Sequence, residues 1–318
     1  MPRATPSYVQ FEVYDNLSTL RERAKAEAAK VVVGQEKAVE LMLVAAIAHG
    51  HVLVEGPPGS AKTLLGRAMA HVLGASFKRI QFTPDTSATD IIGEYVMRAG
   101  EPVFVPGPLF TNVLLADEIN RTPPKTQAAL LEGMQERHVT VDGEMHRLPD
   151  PFLVVATQNP YEQEGVYPLP ESQLDRFLFK IDLDYVTPEH EIDMLRLPHT
   201  GVTPDMLGEI RPLLGTVGLD RARKELDSTE AEDAVLTYLV ALVRRTRTLP
   251  GVILGGSSRA AIHLMGASKA NARINNRDYV TVEDVRAMAP YVLRHRMILD
   301  AGVSADDILR MALESVEA

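Results

Sequence analysis

The segment Gly56-Pro-Pro-Gly-Ser-Ala-Lys62-Thr63 constrains the fold of this chain more than any other feature. Residues 51–55 lead into it with the composition of a short buried strand, and a helix is predicted directly after it. A loop between a strand and a helix points successive backbone N–H groups and the positive helix end at one spot. The sequence therefore predicts a phosphate-binding loop in an α/β fold.

Two side chains extend this prediction from a phosphate to a nucleotide with its metal. Lys62 would reach the β- and γ-phosphates, and the Thr63 hydroxyl would ligate Mg²⁺. The general pattern has glycine at position 61, where this chain has alanine. A Gly-Pro turn that happens to precede Lys-Thr is the alternative, which the strand–loop–helix context disfavours. We assign to ATP binding the loop residues Gly56, Pro57, Pro58, Gly59, Ser60, Ala61, Lys62, Thr63 and Leu64.

A pair of carboxylates follows a second apolar strand, predicted over residues 113–116. Asp117 and Glu118 would lie at the carboxyl end of that strand, where parallel sheets bind their ligands. Asp117 fits a partner of Mg²⁺, directly or through water. Glu118 fits a base that orients the attacking water. Without the phosphate loop, the same pair would indicate only a solvated loop.

Three further residues are candidates for the hydrolysis step. Asn159 follows a strand predicted over 152–157, and its amide could hold the attacking water, although Asn-Pro also begins many turns. Arg176 lies where it does not easily reach its own nucleotide, and a guanidinium suits a phosphoryl transition state. Arg259 is predicted at a helix start, an unfavourable place for a cation, which suggests a function. A simple surface arginine is the alternative for the last two.

The order of predicted elements divides the chain into four parts. Alternating strands and helices predict a parallel sheet covered on both faces by helices. Two hairpins, over 94–105 and over 138–148 around Asp142-Gly143, interrupt this alternation. We predict a flexible arm over 1–17, a nucleotide-binding αβα domain over 18–186, a Pro- and Gly-rich linker over 187–219, and a small all-helical lid domain over 220–318.

Helix-capping signals support the lid prediction. Ser228 is predicted to cap a helix whose apolar face includes Val235 and Leu239. Thr281 with Asp284, and Ser304 with Asp307, each match a capping box before an apolar run.

Composition excludes several other classes of site. The chain has no cysteine, which rules out disulfides and thiolate zinc sites. Its net charge of −10 disfavours broad binding to nucleic acid. The longest apolar run, residues 41–48, is far below the roughly 18 residues of a membrane span. The N-terminus lacks the apolar core of a signal peptide, so we predict a cytoplasmic protein without membrane contact.

Taken together, these motifs resemble those of the MoxR family of AAA+ ATPases, over residues from about 31 to 300. In that family alanine is usual at position 61, and Val33-Gly34-Gln35 matches the stretch that holds adenine. Arg176 falls in a segment similar to the family's arginine finger, and Arg259 in one similar to its second sensor. The remaining matches are Ala116-Asp-Glu-Ile-Asn-Arg121, Ala156-Thr-Gln-Asn159-Pro, Tyr279-Val-Thr-Val-Glu-Asp-Val and Leu293-Arg-His-Arg.

The resemblance implies a homo-oligomeric, hexameric ring that acts as an ATP-driven remodelling chaperone. It further implies a partner with a von Willebrand factor A domain, a protein client, and a role in maturing or inserting metals into protein complexes. In such rings both hairpins face the axis, Arg121 could contact a neighbouring subunit, and Arg259 could serve its own nucleotide or a neighbour's.

Two other functions are compatible with a ring ATPase fold. A nucleic-acid motor shares the hairpin-bearing branch, but the acidic charge and the absence of a DNA-binding module in the sequence disfavour it. A scaffold that binds ATP without hydrolysing it is disfavoured by the joint presence of Glu118, Asn159 and Arg176.

Overall fold

The computed structural model describes residues 16–161, 165–196 and 204–317. The predicted arm over 1–17 therefore lies almost entirely outside the described residues. The strands are β1 (Val52–Glu55), β2 (Phe77–Gln81), β3 (Gly93–Arg98), β4 (Glu101–Pro106), β5 (Val113–Asp117), β6 (His138–Val141), β7 (Glu144–Arg147), β8 (Leu153–Gln158), β9 (Phe179–Asp182), β10 (Val252–Leu254) and β11 (Ile298–Leu299).

Five parallel strands form the central sheet, in the order β2-β5-β8-β1-β9. Successive residues of each strand point to opposite faces, and both faces are buried. In β1, Val52 and Val54 belong to one hydrophobic core, whereas Leu53 belongs to the other. Near-continuous apolar strands are the expected result of covering a parallel sheet on both faces. The predicted α/β architecture is confirmed.

Helices cover both faces of the sheet and build the C-terminal region. They are α1 (Leu17–Ala28), α2 (Glu36–Ile47), α3 (Lys62–Leu73), α4 (Ala88–Ile92), α5 (Pro124–Glu136), α6 (Glu171–Leu174), α7 (Pro188–Arg196), α8 (Pro204–Gly208), α9 (Gly215–Asp227), α10 (Asp233–Arg245), α11 (Ser258–Ile274), α12 (Val282–Leu293) and α13 (Ala305–Ser315). One hydrophobic core runs from the sheet through α1 and α2 into α9–α13. No helix among the described residues is long and apolar enough to span a membrane.

Both predicted hairpins form, and they contact each other. Strands β3 and β4 pair around Ala99-Gly100, and β6 and β7 pair around Asp142-Gly143. The Tyr95 hydroxyl of the first donates to Glu144 of the second at 2.6 Å. The Phe104 ring stacks on His146, with the centroids 4.0 Å apart. Side chains at the two hairpins thus join them into one unit.

Three details of the C-terminal part differ from the sequence-based expectation. In segment 187–219, of which residues 187–196 and 204–219 are described, α7, α8 and the start of α9 form where a linker is predicted. The lid is not purely helical, since β10 and β11 form a short antiparallel pair. Ser228 ends α9 as its C-cap and does not begin α10, whose N-cap is Glu232.

Of the two predicted capping boxes, one forms completely. Thr281 and Asp284 make both reciprocal hydrogen bonds at the start of α12. At α13, Ser304 caps the helix by accepting the N–H of Asp306, whereas the Asp307 carboxylate accepts from Arg310. The second predicted box does not form, since Ser304 caps the amide of Asp306 instead of that of Asp307 and the Asp307 carboxylate pairs with Arg310.

Candidate functional site

The predicted phosphate loop connects β1 to α3 and has the backbone shape that such a loop needs. Gly59 and Ala61 both adopt positive φ angles, of 81° and 63°. A side chain at Gly56 would lie 2.6 Å from the carbonyl oxygen of Leu183, so only glycine fits there. At Gly59, by contrast, no other atom would lie within 4 Å of a side-chain Cβ. The loop backbone is therefore accessible to a ligand at this residue.

Lys62 is the first residue of α3, and its amine lies inside the loop. Its Nζ donates to the carbonyl oxygens of Gly56 and Pro57, at 2.7 and 2.8 Å. Burial lowers the pKa of Lys62, while the carboxylates of Asp117 and Glu118 oppose that shift. The amine therefore lies in a partly desolvated loop, where a phosphate would gain from its charge.

Asp117 is buried at the end of β5 and lies at the centre of a polar cluster. Its Oδ1 accepts from Thr157 of β8 at 2.6 Å, and its Oδ2 lies 3.3 Å from the Thr63 hydroxyl. Arg79 of β2 also binds Oδ2, through Nη2 at 2.6 Å. Thr157 and Arg79 were not predicted. A hydroxyl within the otherwise apolar strand 153–157 was the signal for Thr157, but Arg79 follows only from the order of the strands.

The donors at Thr63 and Asp117 fit Mg²⁺. Both present oxygen atoms, which Mg²⁺ prefers, and they project from neighbouring elements toward the phosphate loop. No three His, Cys, Asp or Glu residues lie together as metal ligands in the part of the chain that the structure describes. Two protein oxygens suit Mg²⁺ bound together with a nucleotide, because this cation usually keeps several waters and takes further ligands from phosphate.

Glu118 has a strained backbone and a well-defined side chain. Its φ of 57° is unusual for a residue other than glycine, and its N–H donates to Thr157 Oγ1 at 3.0 Å. Gln81 of β2 donates to its carboxylate at 3.1 Å, and Arg121 forms an ion pair with the same oxygen. Strain of this kind is maintained by surrounding contacts and recurs at functional sites.

Asn159 directly follows β8, next to β5 and β1 at the same edge of the sheet. Its Oδ1 accepts the N–H of Tyr161 at 3.2 Å, as in a turn. It also lines a cavity of about 360 Å³ with Glu55, Asn120 and Gln158. Turn formation and exposure to a cavity therefore occur together at this residue.

A larger cavity of about 490 Å³ opens beside the phosphate loop. Val33 and Gln35 line it, whereas Gly34 between them does not and has a φ of 73° and no room for a side chain beside His190. The opposite wall was not predicted; it comes from residues 184–195 and 206, and it is mostly apolar but also contains Asp184 and Glu191. It includes Tyr185, Val186, Met194, Leu195 and Met206.

Neither of the two predicted arginines lines this cavity. Arg176 donates through Nη1 to the Leu131 carbonyl of α5 at 2.8 Å. Arg259 lies with its Nη1 3.4 Å from Asp175 Oδ2, next in sequence to Arg176. The structure thus places Arg259 beside the Arg176 segment.

Comparisons with known proteins agree with this architecture. Residues 51–179 match the family model of ATPases associated with various cellular activities (AAA), and residues 244–312 match an AAA lid domain. The chain is 46% identical to Chaperone MoxR1 of Mycobacterium tuberculosis over 90% of its length and 78% of that protein. It is 32% identical to the protein MoxR of Methylorubrum extorquens, covering 93% and 94% of the two chains.

A solved structure extends the agreement to the whole fold. The crystal structure of a candidate ATPase from Cytophaga hutchinsonii, at 38% identity, superposes with a TM-score of 0.87 and covers 95% of both chains. The similarity therefore extends over both the sheet domain and the lid, along nearly the full length of the chain. The chain belongs to the MoxR family of AAA+ ATPases.

Proposed function

We propose that this protein hydrolyses ATP with Mg²⁺ at the phosphate loop. The observation that carries the proposal is the meeting of Thr63 and Asp117, 3.3 Å apart, beside a cavity lined by Gly59, Ser60 and Ala61. Residues 54 positions apart in the chain thus present two oxygen donors at the carboxyl edge of the sheet. Ligands bind at this edge in open parallel sheets.

Each polar side chain has a separate role in this proposal. Lys62 exchanges its carbonyl partners for the β- and γ-phosphates. Thr63 and Asp117 would hold Mg²⁺, which when bound would neutralise phosphate charge. Glu118 orients and deprotonates the attacking water, and Asn159 holds that water from the neighbouring strand.

Hydrolysis is completed, in our proposal, by a second copy of the chain in a hexameric ring. The Arg176 guanidinium would leave the Leu131 carbonyl and reach the γ-phosphate bound by the neighbouring subunit. Arg259 lies beside Asp175, and this position supports a role at the same neighbouring nucleotide. An arginine supplied in this way accelerates phosphoryl transfer by roughly 10³- to 10⁵-fold.

Mixing two inactive variants tests this scheme. Lys62→Ala should lose most of its ATP affinity but retain Arg176. Arg176→Ala should bind ATP normally and hydrolyse it at least roughly 10³-fold more slowly than wild type. The mixture should regain activity at interfaces that pair an intact site with an intact arginine. Wild-type turnover by Arg176→Ala, or activity per subunit that stays constant down to monomer concentrations, would contradict the scheme.

We further propose that the ring remodels protein clients together with a von Willebrand factor A domain partner, in the maturation of metal-containing complexes. Support comes from the name of the M. tuberculosis relative, a chaperone, and from two exposed methionines on the joined hairpins, Met97 and Met145. These side chains are 70% and 63% exposed and suit contact with an apolar peptide segment.

The Glu118→Gln variant tests the chaperone role. It should bind ATP, hydrolyse it poorly and so retain a purified von Willebrand factor A domain partner longer in ATP than in ADP. Replacing Met97 and Met145 by serine should weaken client binding without changing basal hydrolysis. Stimulation of hydrolysis by DNA, with a steep dependence on salt, would instead favour the nucleic-acid motor.

A further inference from the structure

The lid contacts the Arg176 segment through a buried arginine that the proposed catalytic scheme does not use. Arg296 ends the motif Leu293-Arg-His-Arg directly after α12, and its side chain is only 1% exposed. Its Nη2 donates to the carbonyl oxygens of Asp175, at 3.2 Å, and of Phe177. Its Nε lies 3.0 Å from the Asp175 carboxylate. A single guanidinium therefore binds the residue before Arg176 and the residue after it.

Neighbouring lid residues complete this attachment. His295 Nε2 lies 3.1 Å from the Phe177 carbonyl, and Ser257 Oγ donates to the Asp175 carboxylate at 2.9 Å. The His263 ring accepts from Arg296, since burial and the nearby Arg296 and Arg259 charges lower the pKa of His263 to about 3 and keep it neutral.

Burial of an arginine is costly, so its use here requires an explanation. A well-packed apolar side chain of similar volume fills such a space with equal or better stability. An apolar side chain could not orient the backbone in the way that the guanidinium does. Its planar group contacts two carbonyl oxygens and a carboxylate at the same time and so fixes their positions. The two carbonyls and the carboxylate belong to Asp175 and Phe177, on either side of Arg176, whereas Nη1 donates to the Val292 carbonyl of α12 and so attaches the guanidinium to the lid. Arg176 itself donates to the Leu131 carbonyl.

From these contacts we infer that Arg296 is a positioning residue for Arg176, through which the lid of one subunit controls hydrolysis in the next. The inference rests on the proposed role of Arg176 in the ring. Movement of the lid carries Arg296 with it, and the backbone on both sides of Arg176 follows. Arg296 itself touches no nucleotide in this scheme.

The experiment repeats the mixing of Lys62→Ala with Arg176→Ala. One further substitution, Arg296→Met, is added to only one of these two variants at a time. In the Lys62→Ala subunit, which supplies the arginine, it should lower the regained activity by roughly 10- to 100-fold, as expected for a misplaced catalytic group. In the Arg176→Ala subunit, which supplies the site, it should leave the regained activity near the reference. Arg294→Met is the matched control, since Arg294 binds Asp182 and Asp306 instead.

Equal loss in both placements would show a general structural defect and overturn the inference, as would no loss in the first. Hydrogen exchange gives an independent measurement on the single Arg296→Met variant. Amides of residues 173–178 should exchange faster than in Arg294→Met, while those of α10 stay unchanged. If one inactive subunit poisons the ring and the reference mixture is inactive, exchange decides alone: unchanged exchange at 173–178 would overturn the positioning role.

Discussion

Arg79 of β2 binds Asp117 of β5 through two atoms, with Nε and Nη2 at 3.0 and 2.6 Å from the same carboxylate oxygen, Oδ2. The Thr63 hydroxyl lies 3.3 Å from that oxygen as well. A guanidinium and the proposed Mg²⁺ therefore compete for one carboxylate. The arginine is 36% exposed, so the ion pair contributes little enough for a divalent cation to displace it.

We expect Arg79→Met to lower the Mg²⁺ concentration that gives half-maximal binding of a fluorescent ATP analogue. The change should be roughly two- to fivefold, because a partly exposed ion pair contributes about 1 kcal/mol or less. Lys78→Met is the control, since Lys78 lies on the same strand and binds the Gly107 carbonyl instead. A higher Mg²⁺ requirement in Arg79→Met would show that Arg79 orients Asp117 and does not compete for it.

The apolar wall of the large cavity should bind the base of the nucleotide. Leu195 lines that cavity and is 70% exposed without a ligand. Leu195→Ala should weaken ATP binding by roughly three- to tenfold, the loss expected from removing part of an apolar contact. Binding of inorganic tripolyphosphate should not change. Ile192→Ala, on the same helix but outside the cavity lining, should bind ATP like wild type; equal weakening in both variants would point to a defect of α7.

Position 61 should carry a measurable backbone strain. Ala61 has a φ of 63° and a ψ of 19°, a conformation that glycine adopts at lower cost. Ala61→Gly should raise the free energy of unfolding by about 1 kcal/mol in urea titrations without nucleotide. Ala241→Gly, within helix α10, should change it by a similar amount in the opposite direction. A less stable Ala61→Gly would mean that chain entropy outweighs the relieved strain.

The lid should be sensitive to acid through Asp284. Burial raises the pKa of Asp284, but hydrogen bonds from Arg277, Thr281 and Asn271 together bring it below its ordinary value. Since the folded-state pKa is lower than the unfolded one, the carboxylate stabilises the fold above the unfolded pKa. That contribution is lost as pH falls through the folded-state pKa.

At pH 7 we therefore expect Asp284→Asn to lower the free energy of unfolding by about 3 kcal/mol, the scale for breaking a buried ion pair. The difference in free energy of unfolding between Asp284→Asn and wild type should become smaller below pH 3.8, the ordinary pKa of an aspartate carboxyl group. Urea unfolding at several pH values measures both effects. Glu283→Gln removes a charge from the same turn on an exposed side chain and serves as the control. A pH-independent difference would assign the loss to packing.

Local sequence signals predicted the elements that hold the phosphate loop and the paired carboxylates. Strand, loop and helix follow each other within about twenty residues, so their geometry depends little on the rest of the chain. The alternation of apolar strands with helices was sufficient to predict the parallel sheet, and Asp142-Gly143 was sufficient for the second hairpin. These features depend on neighbours in sequence.

The contacts of Asp117 and the walls of the cavity could not be predicted in the same way. Arg79 reaches Asp117 only because β2 pairs with β5, and the sequence contains no local signal for that pairing. Segment 187–219 was interpreted as a linker because of its prolines, yet Pro188 and Pro204 each begin a helix. Proline is favoured at the first position of a helix because an N–H there would have no hydrogen-bond acceptor within the helix, so proline loses nothing by lacking one.

The joined hairpins have a mechanical consequence. Since Tyr95 and Phe104 bind Glu144 and His146, a pull on either exposed methionine loads both hairpins together. Part of that load enters the domain through α5, which leads directly into β6. The same helix holds Arg176 at the Leu131 carbonyl. In the proposed ring, tension from a bound client would therefore arrive at Arg176, the residue proposed to act on the neighbouring subunit's nucleotide, so that hydrolysis there would respond to the load.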